Sequence, residues 1–441
     1  MLGFFGLRLK DLVRQAISLD ASGSWLQAAR AYEALLKFRP LEHRFMVNAA
    51  RCYWLADHPA LAEPLSRRAT ALAPSDFQPA QTLGNVLRDL NRFEEADQCY
   101  EAACELEPTP WSAWNRSVLL QGLQRYGHAF ALAERRFELL DYQPLRSRDG
   151  ALLRGPSLKG RSLVLWSEQG FGDCLQHLRW IPLLAELDCT LVVELESSMV
   201  TLFQEGFAWL KGSITARAFS DPPVPLQEGQ EHVSILSLPY VLGDSANHLL
   251  LSSQPPLDWQ RGYLRSPNWP RRRPSSTPRV GLVWAAGQKL DDPFTAREYI
   301  KRSLNRQSLH QLATGLEAQG VDVIPMQIGH DCDWLEQGLP HLSGQGISQS
   351  ASFAENARWI RDLDLLISVD AAAAHLAGAL GHPCWLLLPF SADPRWLRDR
   401  SDSPWYPSFR LFRQPTSGQW LPVVDQVLEA FSPWWHSISG S

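Results

Sequence analysis

Two short stretches of this 441-residue chain set chemically capable groups beside glycine or alanine, where the backbone can come close to another molecule. The first is Glu168-Gln169-Gly170-Phe171-Gly172-Asp173. A carboxylate such as Asp173, at the mouth of a cleft, can take a proton from a hydroxyl as that hydroxyl attacks. An aspartate following glycine at a helix start can equally be an N-cap, and spacing alone does not separate the two roles. The second stretch is Asp370-Ala371-Ala372-Ala373-Ala374-His375-Leu376-Ala377-Gly378-Ala379. Small side chains leave the first turn of a helix open, and its unpaired N–H groups and positive dipole end suit a diphosphate. His375 would add a ring donor to the same oxygens, although a lone histidine in a first helical turn is more often an ordinary polar residue. A third set, His330-Asp331-Cys332-Asp333, has ligand-type side chains. Four consecutive loop residues do not converge readily on one ion, so no metal site is expected and the segment is expected to face solvent.

The first two stretches fall where an apolar strand gives way to a helix. After Pro156, Ser162–Trp166 reads as a strand, Asp173–Glu186 as a helix and Thr190–Leu195 as a second strand. Ser266–Pro278, with four prolines and three arginines, reads as a linker, and Arg279–Trp284 restarts with a new strand. Val321–Gln327, Leu363–Asp370 and Cys384–Pro389 read as further strands, with helices at Phe353–Leu363 and Ala371–Leu380. Strands alternating with helices imply parallel sheets. Two Rossmann-like α/β units are therefore expected, 157–265 and 279–441, joined by the 266–278 linker. Ligands of such sheets bind at the carboxyl ends of the strands, so the cleft between two facing units is where chemistry is sought.

Residues 1–145 follow another rule. Pro40, Pro74 and Pro108 recur every 34 residues, as do Ala28, Ala62 and Ala96, and Ala16, Ala50 and Gly84. Small residues let paired helices cross closely, and proline ends the second helix. Tyr32 and Tyr100 fill the space between, with Ser66 departing in the middle copy. The pattern resembles the tetratricopeptide repeat, in three to four copies. A degenerate fourth is expected from Trp114 to about Leu140, with Val118 and Phe130 on the columns and Phe137 closing it without proline. A structural solenoid and a concave surface for a protein or peptide partner both fit such an array.

A formal charge of -5 gives no support for a nucleic-acid partner, and the basic run Arg271-Arg272-Arg273 lies inside the linker. Seven cysteines without CxxC spacing suggest neither zinc nor a disulfide framework, and a reducing cytoplasm is expected. The apolar opening Met1–Lys10 lacks a long h-region. It is expected to pack against the first helix, with contact at a membrane surface left open. No stretch approaches the roughly 20 apolar residues needed to span a bilayer.

Gly170–Leu184 resembles the opening signature of the heptosyltransferase-like glycosyltransferases, and Ser368–Ala379 resembles their Asp-Thr-Gly-x-x-His-Leu signature. Ser403–Gln414 resembles their C-terminal segment. The resemblance implies a GT-B fold, a nucleotide-sugar donor on the C-terminal unit, a hydroxyl or amide acceptor on the N-terminal unit, and transfer without metal or cofactor. Carried onto this chain, it makes Asp173 the base and Gln169, Gly170 and Gly172 the acceptor-side loop. It gives donor-binding places to Trp284, Lys301, Arg302, Ser303, Asp370, Ala371, Ala372 and His375. The family's Thr-Gly is Ala371-Ala372 here, so a phosphate-binding hydroxyl is absent. A non-catalytic repeat scaffold with a degenerate transferase domain is therefore the alternative. A dinucleotide oxidoreductase fares poorly, because Gly170 and Gly172 are not followed by a third glycine at the required spacing.

Overall fold

The 34-residue register folds as four antiparallel helical pairs. A computed structural model describes residues 2–139, 153, 158–252, 255–269, 277–288 and 293–439. The pairs are α1 (Leu2–Ala21) with α2 (Trp25–Leu36), α3 (His43–Leu55) with α4 (Pro59–Leu72), α5 (Phe77–Asp89) with α6 (Phe93–Leu106), and α7 (Pro110–Gly122) with α8 (Tyr126–Ala133). Ala16, Ala28, Ala50, Ala62 and Ala96 are fully buried. The need for small residues is steric: a Cβ at Gly84 would lie 2.7 Å from the ring of Tyr100. Where the middle copy lacks a tyrosine, the Ser66 hydroxyl donates to the Ala62 carbonyl at 3.0 Å.

The turn inside each pair carries one left-handed residue: Gly23, Asp57 and Asn91 (φ 75°, 61° and 59°), spaced by 34, then Gln124 (φ 56°) only 33 later. The fourth copy is thus one residue short. Its small-residue columns are filled by Ser117 and Ala129, both fully buried, instead of the expected Val118 and Phe130. It also starts earlier than expected, at Pro110, behind a Thr109 cap that accepts from the Ser112 N–H. It ends by tightening into a 3-10 turn at Glu134–Glu138. The opening residues are not a separate segment packed on the first helix; from Leu2 they are part of it.

The chain divides into two compact units that do not follow the linear order of the sequence. One comprises Met1–Leu140, Lys289–Lys301 and Phe390–Arg398, so two downstream segments belong with the repeats. The other comprises Asp141–Gln288, Arg302–Pro389 and Asp399–Ser441, and contains both sheets.

The first sheet has the parallel order β3-β2-β1-β4, built from β1 (Ser162–Trp166), β2 (Thr190–Leu195), β3 (Ile214–Ala218) and β4 (Gln230–Ser234). Its outer strands, ITARA and QEHVS, are short and polar, which is why hydrophobic pattern does not reveal them. The expected helix 173–186 is broken into α9 (Phe171–His177), a 3-10 turn Leu178–Trp180 and α10 (Ile181–Glu186), where Pro182 denies the backbone a donor. Helices α11 (Ser197–Gly206), α12 (Leu238–Leu242), α13 (Asp244–Leu251) and α14 (Leu257–Arg261) complete this half.

The second sheet is parallel in the order β6-β5-β7-β8-β9, with β5 (Arg279–Val283), β6 (Asp322–Pro325), β7 (Leu365–Val369), β8 (Cys384–Leu388) and β9 (Phe409–Arg413). Strands β7 and β8 are buried along their whole length, as expected of strands covered on both faces. Along the chain this half also holds α16 (Arg306–Glu317), α17 (Asp333–Gly338), α18 (Phe353–Arg361), α19 (Ala372–Ala379) and α20 (Leu421–Ser439), while α15 (Pro293–Arg302) lies through Lys301 in the repeat unit. The expected linker 266–278 is anchored at its start. The Trp269 indole donates to Glu205 at 2.7 Å, and Arg361 donates to the Trp269 carbonyl at 3.0 Å. Residues 270–276 of that segment, which include the Arg271–Arg273 run, lie outside the described residues.

Candidate functional site

The two strand-to-helix turns singled out from residue type meet inside the α/β unit. At the end of β1, Ser234 donates a hydroxyl hydrogen bond to Glu168. Gln169 is left-handed (φ 62°), an unusual conformation for a side chain of that kind and one that clusters at functional loops. Gly170 is the N-cap residue of α9, so Asp173 is not the cap; it sits in the first turn, half-buried. Phe171, exposed, lies against Phe353 with ring centroids 4.8 Å apart.

Asp370 follows β7 directly and is buried. Ala371 is the N-cap of α19 in extended conformation (φ -143°), and it supplies no side-chain acceptor to the first N–H groups. Ala371, Ala372 and Ala373 remain partly exposed while the rest of the helix is buried. Arg302 approaches Asp370 through Nη1, 3.4 Å from the carbonyl oxygen and 4.0 Å from Oδ2.

His375 is only 4% exposed, and its surroundings differ from the expected donor role. Nδ1 lies 2.9 Å from the Tyr406 hydroxyl and Nε2 lies 3.5 Å from Asp370 Oδ1, so both ring nitrogens already have partners. The ring lies across the backbone of α9, where a Cβ at Gly172 would be 2.8 Å from His375 Cδ2. The glycine in that loop admits the histidine. His375 therefore joins α9 to α19 rather than projecting from the helix end.

Trp284 and Ser303 are brought together by scaffolding. Trp284 is buried, its indole donating to the Asp331 carbonyl at 3.3 Å. The side-chain oxygen of Gln327 accepts from the N–H groups of Trp284 and Ala285 at 3.1 and 2.9 Å, and Ser303 Oγ accepts from Ala286 at 3.1 Å. Lys301 departs from the expected donor group. It belongs to the repeat unit, where its ammonium pairs with Glu298 at 2.9 Å. His330 and Asp333 face solvent as expected of that loop, whereas Asp331 is buried. Among the described residues no cluster of His, Cys, Asp and Glu side chains is placed to hold a metal ion.

Sequence reading missed Gln327, Tyr406 and Arg179. The guanidinium of Arg179 is buried among Trp259, Trp405 and Tyr406, at 4.4, 4.9 and 5.0 Å from their rings. Its Nε donates to the Gln176 carbonyl at 2.9 Å and its Nη2 to that of Trp405. Tyr406 thus touches both His375 and Arg179. The only visible signal was the aromatic density of Ser403–Phe412, which says that something packs there without saying what.

A tetratricopeptide-repeat family model matches residues 80–110, the body of α5 and α6. The pair α5–α6 thus matches a tetratricopeptide repeat, and the two pairs before it share its 34-residue register. Protein FlbA of Caulobacter vibrioides is 23% identical over 513 residues, spanning 94% of this chain and 83% of that protein. Among solved structures, MamA from Desulfovibrio magneticus RS-1 is 19% identical, with 31% of this chain and 77% of that chain covered and a TM-score of 0.29. The first tetratricopeptide repeat domain of Spaghetti (RPAP3), bound to an HSP90 peptide, is 24% identical, with 28% of this chain and 93% of that chain covered and a TM-score of 0.24. At such scores the repeat assignment rests on the family match and the helix register. No described helix is long and apolar enough to cross a membrane.

Proposed function

We propose that the α/β unit is a metal-independent glycosyltransferase of GT-B type, taking a nucleotide-sugar donor and a hydroxyl or amide acceptor. The observation that carries the reading is the meeting of the β1–α9 and β7–α19 turns through Gly172 and His375. That meeting puts a carboxylate-bearing loop and an uncapped helix N-terminus on the ligand edges of two parallel sheets. Asp173 would accept the acceptor's proton as the acceptor oxygen or nitrogen attacks the sugar's anomeric carbon. The departing nucleoside diphosphate would be stabilised by the N–H groups at Ala371–Ala373, with Arg302 nearby for charge. Because the turns at Asp57 and Asn91 are engaged by this chain's own Arg297 and Arg398, an acceptor protein or peptide would dock on another face of the array.

Asp173→Asn is expected to abolish transfer and leave nucleotide binding intact, measured by product formation and by calorimetry. Unchanged turnover would remove Asp173 from the base role. A thermal-shift screen of nucleoside diphosphates and nucleotide sugars tests the donor site. A ligand at 100 times its dissociation constant adds about 2.7 kcal/mol to stability. The second reading, a repeat scaffold with a degenerate α/β unit, is favoured by Ala371, which brings no hydroxyl, and by a His375 ring already engaged on both nitrogens. The absence of any nucleotide shift would support it over the transferase.

A further inference from the structure

The first helix of the repeat unit is longer than its place in the array requires. Helices α3 and α5 open at His43 and Phe77, and one further step of 34 residues back falls on Leu9. Helix α1 is already formed at Leu2. It has 20 residues against the 12 of α2, so the antiparallel partner runs out before α1 does. Residues 2–8 therefore form an overhang of about 10 Å at the rise of an α-helix. Their sequence, Leu2-Gly3-Phe4-Phe5-Gly6-Leu7-Arg8, is apolar up to its last residue.

The overhang belongs to the edge of the array where the first helix of each pair begins and the second ends. Leu9, Lys10, Val13 and Arg14 line a groove with Arg39 and Phe45, which brings the start of α1, the end of α2 and the start of α3 together. A second groove joins Arg44 to Phe77 and Leu106 and carries the edge into the third pair. Lys10, Arg14, Lys37, Arg39 and Arg44 are exposed, against Asp11, which pairs with Arg14, and Glu42. Asp76 and Glu107 line the second groove, so the positive charge is concentrated at the α1 end of a chain whose formal charge is -5. Phe38, Leu72 and Leu106, again 34 apart, are exposed, as are Leu41 (67%) and Trp111 (55%). The register that buries Ala28, Ala62 and Ala96 thus also exposes an apolar side chain once per pair.

No described helix is long and apolar enough to cross a membrane, so an apolar overhang has a bilayer interface or another protein as its cover. Cations flanking an apolar helical segment suit the headgroup layer of an anionic bilayer, where each Lys or Arg adds to the attraction. Tryptophan favours that same layer. A second copy docked on the same patch by two-fold symmetry would set these cations against themselves.

We propose that this edge of the repeats docks on an anionic membrane, with the α1 overhang in the headgroup layer and Lys10 and Arg39 against lipid phosphates. The docking does not depend on what the α/β unit does. Flotation of the full chain with phosphatidylcholine–phosphatidylglycerol vesicles, and with phosphatidylcholine alone, is the test. The chain is expected to float with the anionic vesicles only, and less as salt screens the charges. Lys10→Gln with Arg39→Gln, and separately Phe4→Ser with Phe5→Ser, are each expected to weaken binding by about tenfold or more with thermal unfolding unchanged. Equal binding to neutral vesicles, no binding to either, or anionic binding unaffected by Lys10→Gln with Arg39→Gln would overturn the proposal. If Phe4→Ser with Phe5→Ser unfolds the repeats, amide exchange of the parent chain decides. Residues 2–9 are expected to exchange about tenfold more slowly on anionic vesicles, and unchanged exchange there would count against docking. Dimers seen by light scattering that dissociate in Phe4→Ser with Phe5→Ser, without vesicle binding, would assign the overhang to a second copy and overturn the proposal.

Discussion

Gly172 has room for a hydrogen and little else, because the His375 ring fills the space a methyl group would need. Gly172→Ala is therefore expected to destabilise the α/β unit by about 1–3 kcal/mol, the usual range for overpacking a filled site, measured by urea unfolding. A variant as stable as the parent would mean that α9 and α19 separate easily, against the packing described. The two turns were visible in the sequence because glycine and alanine beside acidic residues are hard to miss. What filled the small-residue space was not visible: the run around Ala371 admits close approach by anything, and part of that approach is made by the protein's own histidine. Tyr406, which completes the contact, lies 31 residues from His375, and no local pattern links them.

Between elements, α15 is joined to α3 and α5 through Trp54 and Asp89, which meet Arg297. Burial alone would raise the Asp89 carboxyl, but Arg88, Lys301 and Arg297 outweigh it and hold the group well below the ordinary carboxylate range. Glu298 is lowered in the same way, Lys301 and Arg297 overcoming the effect of burial. A carboxyl with a depressed folded pKa contributes stability that is complete above its unfolded value, near about 4, and is lost as pH falls below it. Asp89→Asn is thus expected to be less stable than the parent at pH 7 and to show a flatter decline from pH 5 to 3, measured by denaturant unfolding across that range. Equal slopes would show that Asp89 is not ionised through the pair. Periodicity exposed the repeats because each copy solves the same packing problem with the same residues. It misplaced the fourth because a one-residue deletion appears only in the backbone turn at Gln124. It was silent on α15, whose amphipathic pattern looks alike whether it covers a sheet or a repeat.

At the scale of the whole molecule, the alternation of strand and helix was enough to expect parallel sheets, and six of the nine strands among the described residues stand where apolar runs pointed. The division into units was not legible, since sequence order suggests a repeat half followed by an α/β half and the chain instead returns twice to the repeats. A shortened chain beginning at Leu153 would lack the surface that covers α15. Trypsin is expected to cut it rapidly after Arg297 and Lys301, both nearly buried in the full chain, and mass spectrometry of the fragments checks this. Equal cleavage of long and short chains would show that α15 needs no cover.

The pairing of Asp89 with Arg297 spans 208 residues, and that separation sets a clock on the ribosome. Synthesis adds about 5–20 residues per second, so the repeats emerge and close on one another on the order of 10–40 s before Arg297 is made. Throughout that interval the Asp89 carboxylate and the Trp54 ring face water or whatever else is present. The nascent repeats thus pass through a period as an open receptor before the same chain arrives to fill them.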